Sequence, residues 1–446
     1  MLTVGFGTSV AMWLTGFVTH LPGVGLPPTA IAGLLLLIQF TGGLAAGRFA
    51  GELPAKRLGL GAGIVSALLN LLIVGSVVAS ETQTNSLRSN WPVIVLGTIA
   101  SGAAVGLIGA MIGARRKPLG DKPATANVSL ARVWLARFAV VAAFAALPVL
   151  LSGGLVTSTG AGLAVPDWPT SYSANMFLYP LSKMTGGIYY EHAHRLFGSL
   201  VGLTTLTLLL FSLACEPRRW MKALTFAAFV FVCGQGVLGG VRVTSADAVT
   251  SDSSPGALVD NKGSLALAMV HGITAQLFFA LLCGLAAMYG VRWITHRADA
   301  RAGERGLRTF SIFLVLGLVL QLSLGSAARH LHHPHVLWTH VGFAFFVVVL
   351  AGLAGFRAIA RCKDLPPVRR LGHALVHSVG LQAILGLVTL MAVLPYQPGK
   401  VDSLAAVVLA TAHQGLGAIL IGCASMLMAW AIRLGGTHRP AIGNAP

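Results

Sequence analysis

His194, His271, His340 and His413 each sit near the start of a long apolar segment of this 446-residue chain, and the first belongs to Glu191-His192-Ala193-His194-Arg195. An ionisable or metal-ligating side chain is costly inside a membrane, so each of the four is a candidate for function. Two imidazoles facing each other across a four-helix bundle at one depth can clamp a haem iron from both sides. The four positions divide into two such pairs, His194/His271 and His340/His413, one for each half of the last eight apolar segments. Glu191 lies one helical turn before His194 on the same face, and the second pair has no such carboxylate. That asymmetry assigns chemistry to one site and electron transfer to the other. The carboxylate can accept a proton there, or stabilise positive charge developing on a porphyrin substituent.

Other ionisable groups are weighed against these. Arg195, Arg242 and Arg329 fall at helix ends on the side of the histidines, where they can neutralise haem propionates or serve topology alone. His192 stands roughly 200° around the helix from His194, so both cannot face one core. His373 and His377 share a helical face at the opposite end of their span, with no matching partner. His330, His332, His333 and His335 crowd one loop; copper or zinc binding is the chemical option, and a solvated loop is the plainer one.

The elements that must position these residues follow from composition. Hydrophobic residues make up 55% of the chain and charged ones 10%, which excludes a soluble globular protein. Apolar stretches fall at roughly 3–19, 29–47, 58–79, 92–114, 132–152, 190–213, 220–240, 265–291, 307–326, 336–358, 370–393 and 404–432. The expected fold is an all-α polytopic membrane protein of about twelve transmembrane helices, the last eight forming two pseudosymmetric four-helix bundles. Three parts are expected: residues 1–125, a four-helix extension with almost no polarity inside the membrane; 126–300, the half with the first histidine pair; and 301–446, the half with the second. A basic, proline-containing stretch around 115–127 separates the extension from the rest.

A net charge of +18 suggests nucleic acid, but its distribution argues against that partner. With the N-terminus cytoplasmic, every Lys and Arg except Arg88, Lys183, Arg195, Arg242, Lys262, Arg329 and Lys400 falls on the inner side. This is the positive-inside pattern; it places both termini in the cytoplasm and the histidines near the outer face, with lipid as the surrounding partner. The five cysteines lie in spans or on the inner side, so no structural disulfide is expected.

An internal repeat supports the pairing. Gln235-Gly236-Val237-Leu238-Gly239, Gln321-Leu322-Ser323-Leu324-Gly325 and Gln382-Ala383-Ile384-Leu385-Gly386 share a Gln-x-x-Leu-Gly pattern, and each precedes a helix with one histidine. The fourth histidine helix follows Leu151-Ser152-Gly153-Gly154-Leu155. Small residues on one helix and a ligand on the next would let the two approach closely.

Thr159-Gly160-Ala161-Gly162-Leu163-Ala164-Val165-Pro166-Asp167-Trp168-Pro169, followed by Glu191-His192-Ala193-His194-Arg195, resembles the first external loop and second helix of the haem A synthase family. The resemblance covers about residues 130–435 in motif order. It implies eight helices in two halves, with His194 and His271 binding the substrate haem O and Glu191 supporting its oxidation. His340 and His413 would ligate a haem b that passes electrons. The reaction implied is oxidation of the C8 methyl of haem O to a formyl group by successive hydroxylation, giving haem A for cytochrome c oxidase. A bacterial cytoplasmic membrane is the implied location; a haem O synthase and oxidase assembly factors are the implied partners, and a homo-oligomer stays open. Two features depart from the family. One of its branches carries a cysteine pair in the first external loop, whereas residues 153–189 here contain no cysteine. The four-span extension also lies outside the family core.

Two other functions are compatible with four histidines in duplicated halves. A di-haem electron-transfer cytochrome also needs four histidines, but has no use for Glu191 or the Pro-Asp-Trp-Pro loop. A transporter fits duplicated halves, yet its polar groups would cluster near the midplane rather than one surface.

Overall fold

The computed structural model describes residues 1–51, 53–116, 128–248, 258–296, 305–394 and 403–434. The linker expected around 115–127 and Lys400 therefore fall largely or wholly outside the described residues. Twelve of the helices are long and apolar enough to cross a membrane. In lipid no water is available to the backbone, so each apolar run must close its hydrogen bonds within itself as a helix. The chain is an integral membrane protein.

The helices are α1 (Leu2–Thr19), α2 (Pro28–Phe49), α3 (Ala55–Ile73), α4 (Trp91–Ala114), α5 (Leu130–Ser158), α6 (Gly186–Cys215), α7 (Arg219–Thr244), α8 (Lys262–Tyr289), a short α9 (Val291–Thr295), α10 (Arg305–Leu331), α11 (Pro334–Arg361), α12 (Pro366–Val393) and α13 (Leu404–Leu434). Proline opens α2, α4, α11 and α12, where its missing N–H costs no helical hydrogen bond. α3 stops short of the expected 79. After Val74 the chain makes a single 3₁₀ turn at Gly75–Val77, and Ala79 then pairs with Leu87. A Cβ on Gly75 would lie 2.5 Å from the carbonyl oxygen of Phe177, so the chain turns out of the helix in contact with a later loop.

The described chain divides into two compact units, Met1–Ser264 and Leu265–Pro446. In the first, α4 lies against α2 and α3 with almost no side chain between them. A Cβ on Gly106 would stand 2.5 Å from the Gly59 carbonyl oxygen, and one on Gly43 would stand 2.6 Å from that of Gly106. Without a hydrophobic driving force between helices in lipid, this backbone contact is what holds them.

The expectation of almost no polarity inside these four helices is wrong. Ser66 Oγ donates to Gln39 Oε1 at 3.1 Å, Gln39 Nε2 donates to the Gly102 carbonyl at 3.4 Å, and Trp13 Nε1 donates to Asn70 Oδ1 at 3.0 Å. These polar residues are scattered through apolar runs, and only packing lines them up across helices.

α1 joins this group to α5 and α6. Phe6 meets Phe138 edge-on at 5.3 Å, Phe17 meets Phe197 at 5.5 Å, and Thr3 Oγ1 reaches the Trp134 carbonyl at 3.5 Å.

In the second unit α10, α11, α12 and α13 form a closed ring, each packed on the next and α13 on α10. α11 and α13 therefore stand diagonally across the bundle. α8 covers α13, where Ser425 Oγ donates to the Ala280 carbonyl at 2.8 Å. Leu314, Leu318, Val347, Ala351, Leu375 and Leu427 fill the half of the ring away from His340 and His413.

The backbone contact predicts that Gly106→Val is destabilising by about 3 kcal/mol, because the new side chain meets main chain that cannot move aside. Thermal unfolding in detergent, followed by tryptophan fluorescence, should show a clearly lowered midpoint.

Candidate functional site

His194, on α6, turns its Nδ1 toward α5, where the Val149 carbonyl lies at 3.1 Å and Ser152 Oγ at 3.2 Å. An Nδ1–H donated to a carbonyl selects the tautomer with its lone pair on Nε2, the form that binds a metal. The ring lies flat enough on α5 that a Cβ on Gly153 would be 2.9 Å from its Cε1. The same seat recurs in the second unit. A Cβ on Gly325 of α10 would be 2.8 Å from His340 Cε1, and one on Gly386 of α12 would be 3.0 Å from His413 Cε1. These glycines close the Gln-x-x-Leu-Gly repeats, and the glutamines also have a task. Gln321 Nε2 donates to the His340 carbonyl at 3.0 Å, while His340 Nδ1 donates to the Gln321 carbonyl at 3.2 Å. Gln382 Nε2 donates to the His413 carbonyl at 3.1 Å and approaches its ring nitrogen at 3.4 Å.

His340 and His413 face each other across the ring of helices, their ring centres 6.4 Å apart and their planes at 85°. Two metal–imidazole bonds of about 2 Å, each extended by about 1 Å from nitrogen to ring centre, would separate the centres by about 6 Å. His413 Nδ1, Gln321 Oε1 and Gln382 Oε1 are buried without a hydrogen-bond partner. The spacing, the fixed tautomer of His340 and the unsatisfied His413 nitrogen all fit a metal held between the two imidazoles. His194 belongs to the first unit and His271 to the second; His271 is half-buried on α8, its carbonyl accepting from Thr274 Oγ1 at 3.3 Å.

Glu191 is 4% exposed and both its oxygens are engaged. Oε1 accepts from Arg195 Nη2 at 2.6 Å, and Oε2 accepts from the Val165 N–H at 2.8 Å. Arg195 spends its other donors on the same loop: Nη1 to the carbonyls of Asp167 at 2.6 Å and Thr170 at 3.0 Å, and Nη2 to that of Val165 at 2.9 Å. Arg242 holds the Gly162 carbonyl and pairs with Asp260 at 3.2 Å, while its Nε is buried without a partner. The ring of Trp168 lies over Gly240 of α7, where a Cβ would come within 2.3 Å of it. The Thr159–Pro169 motif is therefore a folded loop clamped between α6 and α7. Arg329, half-buried, is in the last turn of α10.

The loop is also braced internally. Asp167 accepts from Thr170 Oγ1 at 2.5 Å and from the backbone N–H of Tyr172 and of Ser173, both at 2.7 Å. Burial alone would raise its carboxyl, but these hydrogen bonds outweigh it and hold the group below the usual carboxylate range. His192 is fully buried on the opposite side of α6 from His194, with Nδ1 3.1 Å from Ser171 Oγ and its ring against Tyr179. His373 and His377 lie one turn apart on α12 with their rings tilted at 37°, His377 Nδ1 donating to the His373 carbonyl at 2.7 Å. Among the described residues no group of three or more His, Cys, Asp or Glu is arranged to hold a metal ion, the loop histidines included.

The sequence grouped Glu191 with His194 and marked the small residues around Gly153, but carried no sign of the loop clamp by Arg195 or of the seat at Gly240. The Gln-x-x-Leu-Gly register was the available signal for Gln321 and Gln382.

The family of cytochrome oxidase assembly proteins named COX15-CtaA matches residues 136–337. The Heme A synthase of Alkalihalophilus pseudofirmus is 24% identical over 285 residues, 55% of this chain and 94% of that protein. That of Bartonella tribocorum is 23% identical over 330 residues, 60% of this chain and 87% of that protein. That of Exiguobacterium sibiricum is 30% identical over 150 residues, 33% of this chain and 44% of that protein. The matched segment contains the clamped loop, Glu191, His194 and His271; α1–α4 precede it.

Two outcomes are expected. His340→Ala or His413→Ala should abolish binding of added haem b between these two helices, read as loss of a bis-histidine absorption spectrum, with accumulation in membranes unaltered. Asp167→Ala should loosen the loop by about 1 kcal/mol, seen as faster amide exchange over residues 165–173. Because its folded pKa is depressed, the Asp167 contribution is complete above the unfolded value of about 3.9 and is lost only as pH falls through the lower folded value. Exchange of the loop at pH 5 to 8 should therefore carry no contribution from this carboxyl's titration.

Proposed function

We propose that this chain, which belongs to the haem A synthase family, is the oxidoreductase that converts haem O to haem A for cytochrome c oxidase. The reaction is oxidation of the C8 methyl of haem O to a formyl group by successive hydroxylation. The observation that carries the reading is the buried Glu191–Arg195 pair, tied through Val165, Asp167 and Thr170 to the loop that the family motif identifies, one turn before His194.

In this reading His194 is the haem O ligand of the first unit, and His340 and His413 hold haem b, within 301–446. Haem b bound there supplies a one-electron relay. The chain's own groups do the rest. Val149 and Ser152 set the His194 ring, and Gln321 sets the His340 ring, so that neither imidazole needs to reorient when a ligand arrives. Glu191 retains a second lone pair on each oxygen and can accept a proton without releasing Arg195 or Val165. The loop covers Glu191 and, with Arg195, keeps this carboxylate from water. Arg195 and Arg242 act first as loop anchors, with the free Nε of Arg242 and the side chain of Arg329 as the contacts for propionates. We place the termini in the cytoplasm and the haem sites toward the outer face of a bacterial inner membrane. A haem O synthase is the supplier of substrate, and assembly factors of the oxidase receive the product.

The test is haem extraction and chromatography from membranes that express the chain together with a haem O synthase. Wild type should yield haem A. Glu191→Gln, which keeps the Val165 hydrogen bond but not the charge, should lower conversion about a hundredfold while haem binding survives. Haem B with unconverted haem O from wild type would instead indicate a di-haem electron-transfer cytochrome.

A further inference from the structure

The clamped loop has a second flank. After Pro169 the chain runs through residues 170–185 into the first turn of α6, and this stretch is held by residues of the N-terminal extension. The Asn175 N–H donates to Asn85 Oδ1 at 2.6 Å. Asn85 sits at φ 59°, a left-handed conformation that asparagine tolerates better than most residues. Ser182 Oγ donates to Glu81, which is fixed in turn by Arg88 at 2.7 Å. Gly75 lies against the Phe177 carbonyl so closely that no side chain fits. Inside α6, the Tyr189 hydroxyl donates to the Phe17 carbonyl of α1 at 2.6 Å, and the two rings stack 5.5 Å apart with planes 5° from parallel.

Tyr189 and Glu191 are two residues apart, roughly 200° around the helix, so one faces α1 while the other faces the loop. The first turn of α6 has no side-chain cap at Thr185, and an uncapped end frays readily. What holds that turn is therefore the pair of flanks: Arg195 on one side, and Asn85, Glu81 and Phe17 on the other. The second set belongs wholly to the part of the chain that precedes the family match.

We propose that α1–α4 are a positioning element for the Glu191 turn. The segment 75–90 and the end of α1 fix residues 175–189, so that Glu191 and His194 are presented at a constant depth and rotation. Asn85 and Tyr189 are positioning residues, acting through the loop and the helix rather than on substrate. The kinetic part of this inference rests on the haem O oxidation proposed above; the structural part does not.

Full-length Asn85→Ala, Asn85→Asp, Tyr189→Phe and the Asn85→Ala/Tyr189→Phe double variant test it. Two readouts are needed: amide hydrogen exchange of the detergent-solubilised protein, and kcat and KM for haem O. Loss of both hydrogen bonds should raise exchange over residues 170–192 about tenfold and lower kcat about tenfold, with KM within about twofold. Exchange across α10–α13 and the bis-histidine haem spectrum should stay unchanged, and Asn85→Asp, which keeps the acceptor oxygen, should recover most of kcat. Unchanged exchange over 170–192 in the double variant would overturn the proposal. So would a loss of protection spread evenly over the whole chain, which would make the extension a scaffold only. If the wild type leaves haem O unconverted, the function proposed above fails and exchange alone decides the positioning role.

Discussion

Burying a carboxylate and a guanidinium on one helix in an apolar protein costs several kcal/mol per ion unless almost every polar atom finds a partner. Glu191 and Arg195 meet this demand with one mutual contact at 2.6 Å and four hydrogen bonds to the backbone of a single loop. The pair and the loop thus require each other. Without the loop the ions would be stranded; without the ions three of its carbonyls and one N–H would lose their partners at the mouth of the bundle. Much of the remaining outer architecture follows. Trp168 needs the bare face of Gly240, Arg242 takes the Gly162 carbonyl, and His192 is pushed to the far side of α6 against Ser171 and Tyr179.

The second organising contact is softer and is repeated. An imidazole in a packed helix pair needs an opposing residue without a side chain, and Gly153, Gly325 and Gly386 supply it for His194, His340 and His413. Because the neighbouring backbone carbonyl accepts from Nδ1 in His194 and His340, the close approach sets the tautomer as well as the position. A single small-residue substitution thereby governs geometry, protonation and metal-binding capacity together. In the second unit the arrangement brings His340 and His413 from diagonal helices to a separation suited to one metal between them.

The extension of α1–α4 bears on the helices that follow it. Its helices hold one another by glycine contacts and by a buried chain of Ser, Gln, Asn and Trp hydrogen bonds, which is a rigid construction rather than a loose anchor. Rigidity of that kind is what a positioning element requires, since a tether to a mobile body would fix nothing.

The sequence alone determined the twelve spans, because lipid leaves an apolar run no stable backbone state except the helix, and hydropathy reports it directly. It also singled out the four histidines and Glu191, because an ionisable group in such a run needs a reason. The family motif was legible for the same cause: its residues are rare in their setting. What only the tertiary structure decided is who meets whom. That Glu191 is bound to Val165, that Gln321 and Gln382 serve the histidine helices, and that Asn85 holds Asn175 are contacts between residues 19 to 90 positions apart. No periodicity along one helix encodes such contacts, and they arise only when neighbouring helices are in register. The end of α3 at residue 73 and the polar string through α1–α4 were illegible for that reason. Both are set by a partner far along the chain rather than by local hydropathy.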